Sequence, residues 1–267
     1  MSYSNLMSIQ EQEEQHKTPS EESRHSVFAG KRALVVGGSG GIGRWLSKIL
    51  AERGASVFIQ GAHESKVAGL VEEIKRAGGT AEGCAHDIES ASEFCAFLEG
   101  YGDFDIVISA YGPFLQKPLT QYSPQDWEHL VGHNLALPGA LASLFLPGML
   151  HRNFGRFLFF GGTRTDALLT YKTNAAYASA KAGLNVLVKS LAAEGRDRNV
   201  ASLLVCPGLV DSEYLDTAAR EVLCAKAPGG KLIPARTVAE TALNLLDADP
   251  CAASGAIVSL DSGFSPS

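Results

Sequence analysis

The sequence predicts a doubly wound parallel α/β sheet with helices on both faces, a three-layer α/β/α arrangement in a single domain. Two observations carry this. Short, nearly continuous apolar runs recur along the chain: ALVVG (33–37), SVFIQ (56–60), IVISA (106–110), RFLFF (156–160), ASLLV (201–205) and GAIVSL (255–260). Between them lie longer stretches of helical pattern, at 42–53, 64–77, 92–99, 126–151, 176–198 and 237–246. Strands apolar on both faces must be covered on both faces. Their alternation with helices supplies the cover and makes the sheet parallel.

The 267 residues exceed the usual length of one domain, but a large α/β sheet accommodates such a chain around one core. Hydrophobic residues at 45% against 19% charged give enough apolar surface to build it. Residues 1–28 contain EQEEQHKTPSEES and offer little to bury, so they are expected to form a disordered polar tail ahead of a domain at 29–267. A formal charge of −6 and the lack of a basic stripe argue against a nucleic-acid partner. Five widely spaced cysteines without a C-x-x-C pair suggest neither a disulfide framework nor a zinc site, and fit a reducing cytoplasm. With no apolar run of spanning length and no signal-like start, neither a membrane nor a secretory route is expected. The stretch 211–234 has weak periodicity and is expected to form a mobile loop over a substrate.

ALVVGGSGGIGRWL reads as strand, glycine cluster and helix. Glycines let a backbone turn tightly and approach a ligand, and the helix start offers free amides and a positive dipole end to a diphosphate. In this context the cluster is expected to be a Rossmann-type dinucleotide loop rather than a glycine-rich turn without a ligand. The spacing G-x-x-x-G-I-G at Gly37, Gly41, Ile42 and Gly43, with Ser39 and Gly40 between, resembles the short-chain dehydrogenase/reductase family, and the likeness extends over nearly the whole chain after the tail. The resemblance implies further cofactor contacts. Asp87 and Ile88 follow the third strand, where the family uses a carboxylate near the adenine, although Asp87 also reads as a helix cap. Ala110, Tyr111 and Gly112 stand in the family's N-N-A-G turn, which here reads SAYG and has lost both asparagines. CPGLVDS resembles the family's P-G-x-x-x-T stretch and implies nicotinamide contacts from Pro207, Gly208, Val210 and Ser212.

An acid at the end of the second strand would select NAD, whereas basic groups favour the 2′-phosphate of NADP. Gly61 stands at that place, so NADP(H) is favoured slightly over NAD(H), with His63, Lys66 or Arg44 left to meet the phosphate.

AAYASAKAG places Tyr177 and Lys181 one helical turn apart. A neighbouring ammonium favours the phenolate and is expected to lower the tyrosine's pKa toward working pH. The resemblance implies that Tyr177 is the acid/base at a carbonyl oxygen, that Lys181 also binds the nicotinamide ribose, and that Asn134 holds a proton-relay water. An asparagine in mid-helix reads otherwise as a solvent-facing or capping residue. His133 reads as a packing or surface residue. The family's serine at the end of the fifth strand is absent: FLFFGGTRTD puts Gly161 and Gly162 there, with Thr163 as the nearest hydroxyl and Thr165 the next. Arg164 is a candidate anion contact or a solvated loop residue, and Tyr111, Phe114, Tyr171 and Tyr214 are candidate aromatic walls.

The expectation is an NAD(P)-dependent oxidoreductase moving hydride to or from a carbonyl or alcohol of a small-molecule substrate. Reduction of a C=N or activated C=C bond in a pterin-like or enoyl substrate is the alternative, and a non-catalytic NAD(P)-binding sensor the third. The resemblance also implies a homo-tetramer or homo-dimer paired through the two long helices, with Ala178, Ala182 and Gly183 permitting close approach.

Overall fold

The computed structural model describes residues 26–264. The expected tail falls mostly on residues 1–25, outside the described residues. Its expected end at 28 falls too late, however. Phe28 is fully buried in the core, Val27 packs beside it, and Asp247 accepts hydrogen bonds from Ser26 Oγ (2.9 Å) and Val27 N (2.8 Å).

Seven parallel strands form the central sheet in the order β3-β2-β1-β4-β5-β6-β9, with β1 Arg32–Val36, β2 Ser56–Gly61, β3 Thr80–Ala85, β4 Ile106–Ser109, β5 Gly155–Phe160, β6 Val200–Pro207 and β9 Ala256–Leu260. The six apolar runs are six of these strands. The seventh, β3, was not among them because it is an edge strand, and only Ala81 of TAEGCA is buried. Pairing with β2 from Ser56↔Thr80 to Gly61↔Ala85 holds it without an apolar run. A two-residue ladder, β7 Val210–Asp211 with β8 Ile233–Pro234, lies apart.

One core layer packs α1 (Gly41–Glu52), α2 (Glu64–Arg76) and α7 (Ala235–Leu246) on one sheet face through Leu46, Leu50, Leu70, Ile74, Val238 and Leu243. The other face carries α3 (Ala91–Glu99), α4 (Pro124–Arg152) and α5 (Ala175–Gly195). Ser123 and Asp126 form a capping box at the start of α4, with Pro124 in the first turn, where its missing N–H costs nothing. By length and composition α4 alone among the described helices is apolar enough to cross a membrane, although sequence reading anticipated none. Half of its apolar stretch is buried inside the domain, as in a core helix. A π-turn at Gly132–Ala136 interrupts it, a local widening often found at functional sites.

The stretch 211–234 is not irregular: it contains α6, Thr217–Lys226, capped by Asp216, with no residue buried. At the opposite end of the sheet the fully buried Arg156 is satisfied by main chain, donating to the carbonyls of Leu246, Gly155, Asn199 and Ala248 at 2.7–3.1 Å. It braces strand ends and has no site role.

Strand order reverses between β1 and β4, which opens a crevice at their C-terminal ends. Phe28→Ala tests where the domain begins: urea unfolding is expected to show a loss of about 3–5 kcal/mol, against little change on deleting residues 1–25.

Candidate active site

The glycine loop lies at this crevice. Gly37 closes β1 with φ +72°, a turn that L side chains resist, and Gly43 approaches the Gly37 carbonyl so closely that a Cβ has no room. Ser47 Oγ ties the loop to the helix by bonds to Gly38 O and Gly43 O, both 3.0 Å. Gln60 Oε1 accepts from Gly37 N (2.9 Å) while its Nε2 donates to His86 O (2.6 Å), so one buried side chain joins the ends of β1, β2 and β3. Sequence reading passed over Gln60. Its signal was a lone amide at the end of an otherwise apolar strand.

Gly40 caps α1 without a side chain, leaving the first-turn amides open to an outside acceptor. Gly41 N donates to Glu213 Oε1 at 2.8 Å, and the Tyr214 ring lies over Gly40 and Gly41. Ile42, Ala110, Tyr111 and Pro207 line the same cleft, which runs on to Tyr177 and Lys181. Ala110 N donates to Val36 O (2.9 Å), and Gly208 N to Leu260 O (3.0 Å). Half-buried Tyr111 has its phenol pushed up by burial and next by the charge of exposed Asp87. Ile88 is buried, and its carbonyl contacts His133 Nε2 at 3.0 Å. His133 is thus a packing residue, with its other ring nitrogen on His129 O. Val210 is taken up by the small ladder, and Ser212 lies half-buried beyond it.

Gly61 meets Ser39: a Cβ there would collide with the Ser39 hydroxyl, so no acidic side chain fits at the end of β2 unless Ser39 moves. Ser39, Arg44 and Lys66 line one groove. Arg44 and Lys48 both pair with Glu73, at 2.7 and 2.8 Å, and together they hold its carboxyl below the usual range. Lys66 makes no ion pair among the described residues. Its Nζ lies 5.2 Å from the centre of the Tyr214 ring. His63 is exposed and gives no side-chain cap to α2.

Tyr177, Lys181 and Asn134 converge at the ends of β4 and β5. A Cβ on Gly112 would run into Asn134 Oδ1 and come within 3.2 Å of Lys181 Nζ. Asn134 sits in the π-turn of α4 and donates to Pro113 O (2.9 Å) and Leu130 O (3.0 Å). Its Oδ1 is buried beside Gly112, with no donor among the described residues. Lys181 Nζ is 5.8 Å from the Tyr177 ring centre, and Phe114 packs edge-on to that ring at 4.9 Å.

The expected lowering of the tyrosine pKa is not what this arrangement produces. Burial pushes the Tyr177 phenol up to about 12 and draws Lys181 down to about 8. At this separation the loss of hydration outweighs the attraction, because each group is costly to charge out of water.

Neither threonine stands ready to replace the missing serine. Thr163 Oγ1 donates to Pro207 O (3.1 Å), and buried Thr165 Oγ1 exchanges hydrogen bonds with Gly162 O (3.0 Å) and Gly162 N (2.9 Å). The residue that faces the phenol is Gly162, whose Cβ would lie 3.3 Å from Tyr177 Oη. Arg164 follows in the left-handed region, φ +63°, half-buried and without an ion pair among the described residues. Tyr171 Oη stands 3.5 Å from Thr163 O.

Bare backbone along one side of the cleft and helix-start amides without a side-chain cap from their own helix suit an elongated diphosphate ligand, and the orphan acceptor near the other end suits a hydrogen-bond donor. Comparison with known proteins agrees. Residues 31–222 match the family described as short chain dehydrogenase. A short chain dehydrogenase of Pseudocercospora fijiensis is 35% identical over 193 residues, 69% of this chain and 61% of that relative's length. The 3-oxoacyl-[acyl-carrier-protein] reductase of Vibrio cholerae is 28% identical over 245 residues, 88% of this chain and 97% of the relative. A crystal structure of 3-oxoacyl (acyl-carrier-protein) reductase from Agrobacterium tumefaciens C58 with NADP bound superposes with a TM-score of 0.81 at 25% identity, covering 92% of this chain and all of that one.

Lys181 makes stability depend on pH. The native ammonium loses its proton near pH 8 and an unfolded lysine near 10.5, so between these values the unfolded chain binds more protons and stability rises with pH. Below pH 8 the full cost of the buried charge remains. Lys181→Met is therefore expected to be more stable than the wild type at pH 7, by up to about 3 kcal/mol in urea unfolding, with the gap narrowing by pH 9.5.

Proposed function

Since the chain belongs to the short-chain dehydrogenase family, we propose that it is an NADP(H)-dependent oxidoreductase that interconverts a carbonyl and an alcohol on a small-molecule substrate, with Tyr177 as acid/base. The observation that carries this reading is the convergence of Tyr177, Lys181 and Asn134 at the far end of the cleft that begins at the glycine loop. A bound nicotinamide would supply or accept the hydride.

Tyr177 holds the proton. With its phenol pushed up to about 12 it stays protonated at neutral pH and can donate to a carbonyl oxygen that gains negative charge. Lys181, buried beside it, would bind the ribose hydroxyls and return a proton to the phenol. The orphan Oδ1 of Asn134 would accept from the donor that links Lys181 to solvent. Gly37, Gly40, Gly41, Ile42 and Gly43, with the amides at the start of α1, would hold the diphosphate, and Ala110, Tyr111 and Gly112 the opposite wall. Asp87 and Ile88 would border the adenine. Pro207, Gly208, Val210 and Ser212 would border the nicotinamide.

The preference for NADP(H) rests on the Ser39 hydroxyl filling the place of an acid at Gly61, and on Lys66 as the cation free to meet a 2′-phosphate. Oligomeric pairing would use the outer faces of α4 and α5, where Val186 is 70% exposed. Ala178 is buried within the subunit, and half-buried Gly183 packs on Leu135. Five free cysteines suit the reducing cytoplasm.

A second reading has its own support. With Gly162 beside the phenol and both threonine hydroxyls held by main chain, a single donor faces the substrate, which suits reduction of a C=N or activated C=C bond. Ketones, dihydropterins and enoyl thioesters offered separately with reduced nicotinamide distinguish the two. Ketone reduction alone leaves the first reading.

Tyr177→Phe is expected to lower kcat at least about 100-fold while the dissociation constant for NADP+ changes less than about twofold. Full turnover by that variant would reject the assignment. Lys66→Ala is expected to weaken NADPH binding about tenfold without weakening NADH binding, as read by calorimetric titration.

A further inference from the structure

We infer that Glu213 and Tyr214 form a latch that selects the dinucleotide, with the Glu213 carboxylate competing for the amide a diphosphate needs and Tyr214 linking its release to Lys66. The inference rests on the reading that this cleft binds a dinucleotide.

Glu213 reaches Gly41 N from 172 residues away, at 2.8 Å, and serves the helix start that Gly40 leaves uncapped. A carboxylate and a phosphate oxygen recognise such an amide by the same physics: both are anions at the positive end of a helix. They cannot share it, because two negative charges within a few ångströms repel. A dinucleotide anchored at this helix must therefore displace Glu213.

Tyr214 makes the displacement selective. Its hydroxyl stands directly over Gly40 and its ring over Gly41, so it covers the loop while remaining 65% exposed on its outer side. Lys66 Nζ lies 5.2 Å from the ring centre, a cation–aromatic contact that holds the cover from the α2 side. Ser39, Arg44, Lys66 and Glu213 line one groove. Since Arg44 is engaged by Glu73, Lys66 is the cation that a 2′-phosphate would draw. A ligand with both anionic groups would break both contacts, and one with the diphosphate alone would leave the Lys66–Tyr214 contact to oppose it.

The segment is built to move as a unit. It is held by the β7–β8 ladder and the Arg220–Asp211 pair, and α6 buries no residue. Few buried contacts mean a low cost of local opening.

The test is calorimetric titration of NADP+ and NAD+ into wild type, Glu213→Ala, Glu213→Gln and Tyr214→Ala, with thermal melts to show that each is folded. Removing the internal competitor is expected to tighten NADP+ binding about fivefold in Glu213→Ala and less in Glu213→Gln, which keeps an acceptor but loses the charge. Tyr214→Ala is expected to favour NAD+ over NADP+ in relative terms, narrowing the ratio of the two constants at least about threefold. Limited proteolysis should cleave 211–234 faster in wild type with NADP+ than without it. Binding in wild type that is unchanged or weakened by Glu213→Ala overturns the latch and leaves the proposed function standing. Binding of neither dinucleotide to any of the four proteins removes both. Binding to Glu213→Ala but not to wild type supports the latch.

Discussion

The close approach of Gly43 to the Gly37 carbonyl sets the position of everything else in the site. It brings the start of α1 under the end of β1 at the point where strand order reverses, so open amides face the crevice. Gln60 then fixes the loop from β2 and β3, and Ser47 fixes it from within the helix. A larger residue at 43 would push the helix away from the sheet and take the amides with it.

The other end of the cleft is governed by hydration rather than by attraction. Lys181 is buried and Tyr177 half-buried at the cleft wall, and loss of hydration shifts each away from its charged form. A phenol kept protonated and an ammonium kept near its titration point make a proton donor with a nearby source. The same loss of hydration that costs stability thus prepares the chemistry. Arg156 shows the alternative outcome for a buried cation: four carbonyls satisfy it, and it serves the fold alone.

Long-range contacts meet at the site. Gly162, Asn134 and Gly112 come from separate loops and a helix, and each contributes by what it leaves open: space beside the phenol, an unpaired acceptor, and room for the lysine. Glu213 and Tyr214 come from a segment with almost no core of its own and close over the glycine loop. The rigid part of the molecule positions reacting groups, and the weakly held part covers them.

The amino-acid sequence by itself determined the layered sheet, because buried parallel strands need apolar runs and the helices between them need a period near 3.6, and it marked the glycine loop and the Tyr177–Lys181 pair through local spacing. Edge strand β3 carries no apolar run, since a strand paired on one edge needs none, and the burial of Phe28 could not be read beside so polar a stretch. Only the tertiary structure decided the direction of the shifts at Tyr177 and Lys181, the engagement of both threonine hydroxyls and the reach of Glu213 across 172 residues. Hydration and hydrogen bonding depend on what surrounds a group in space, and spacing along the chain carries that information only within a turn or two of helix.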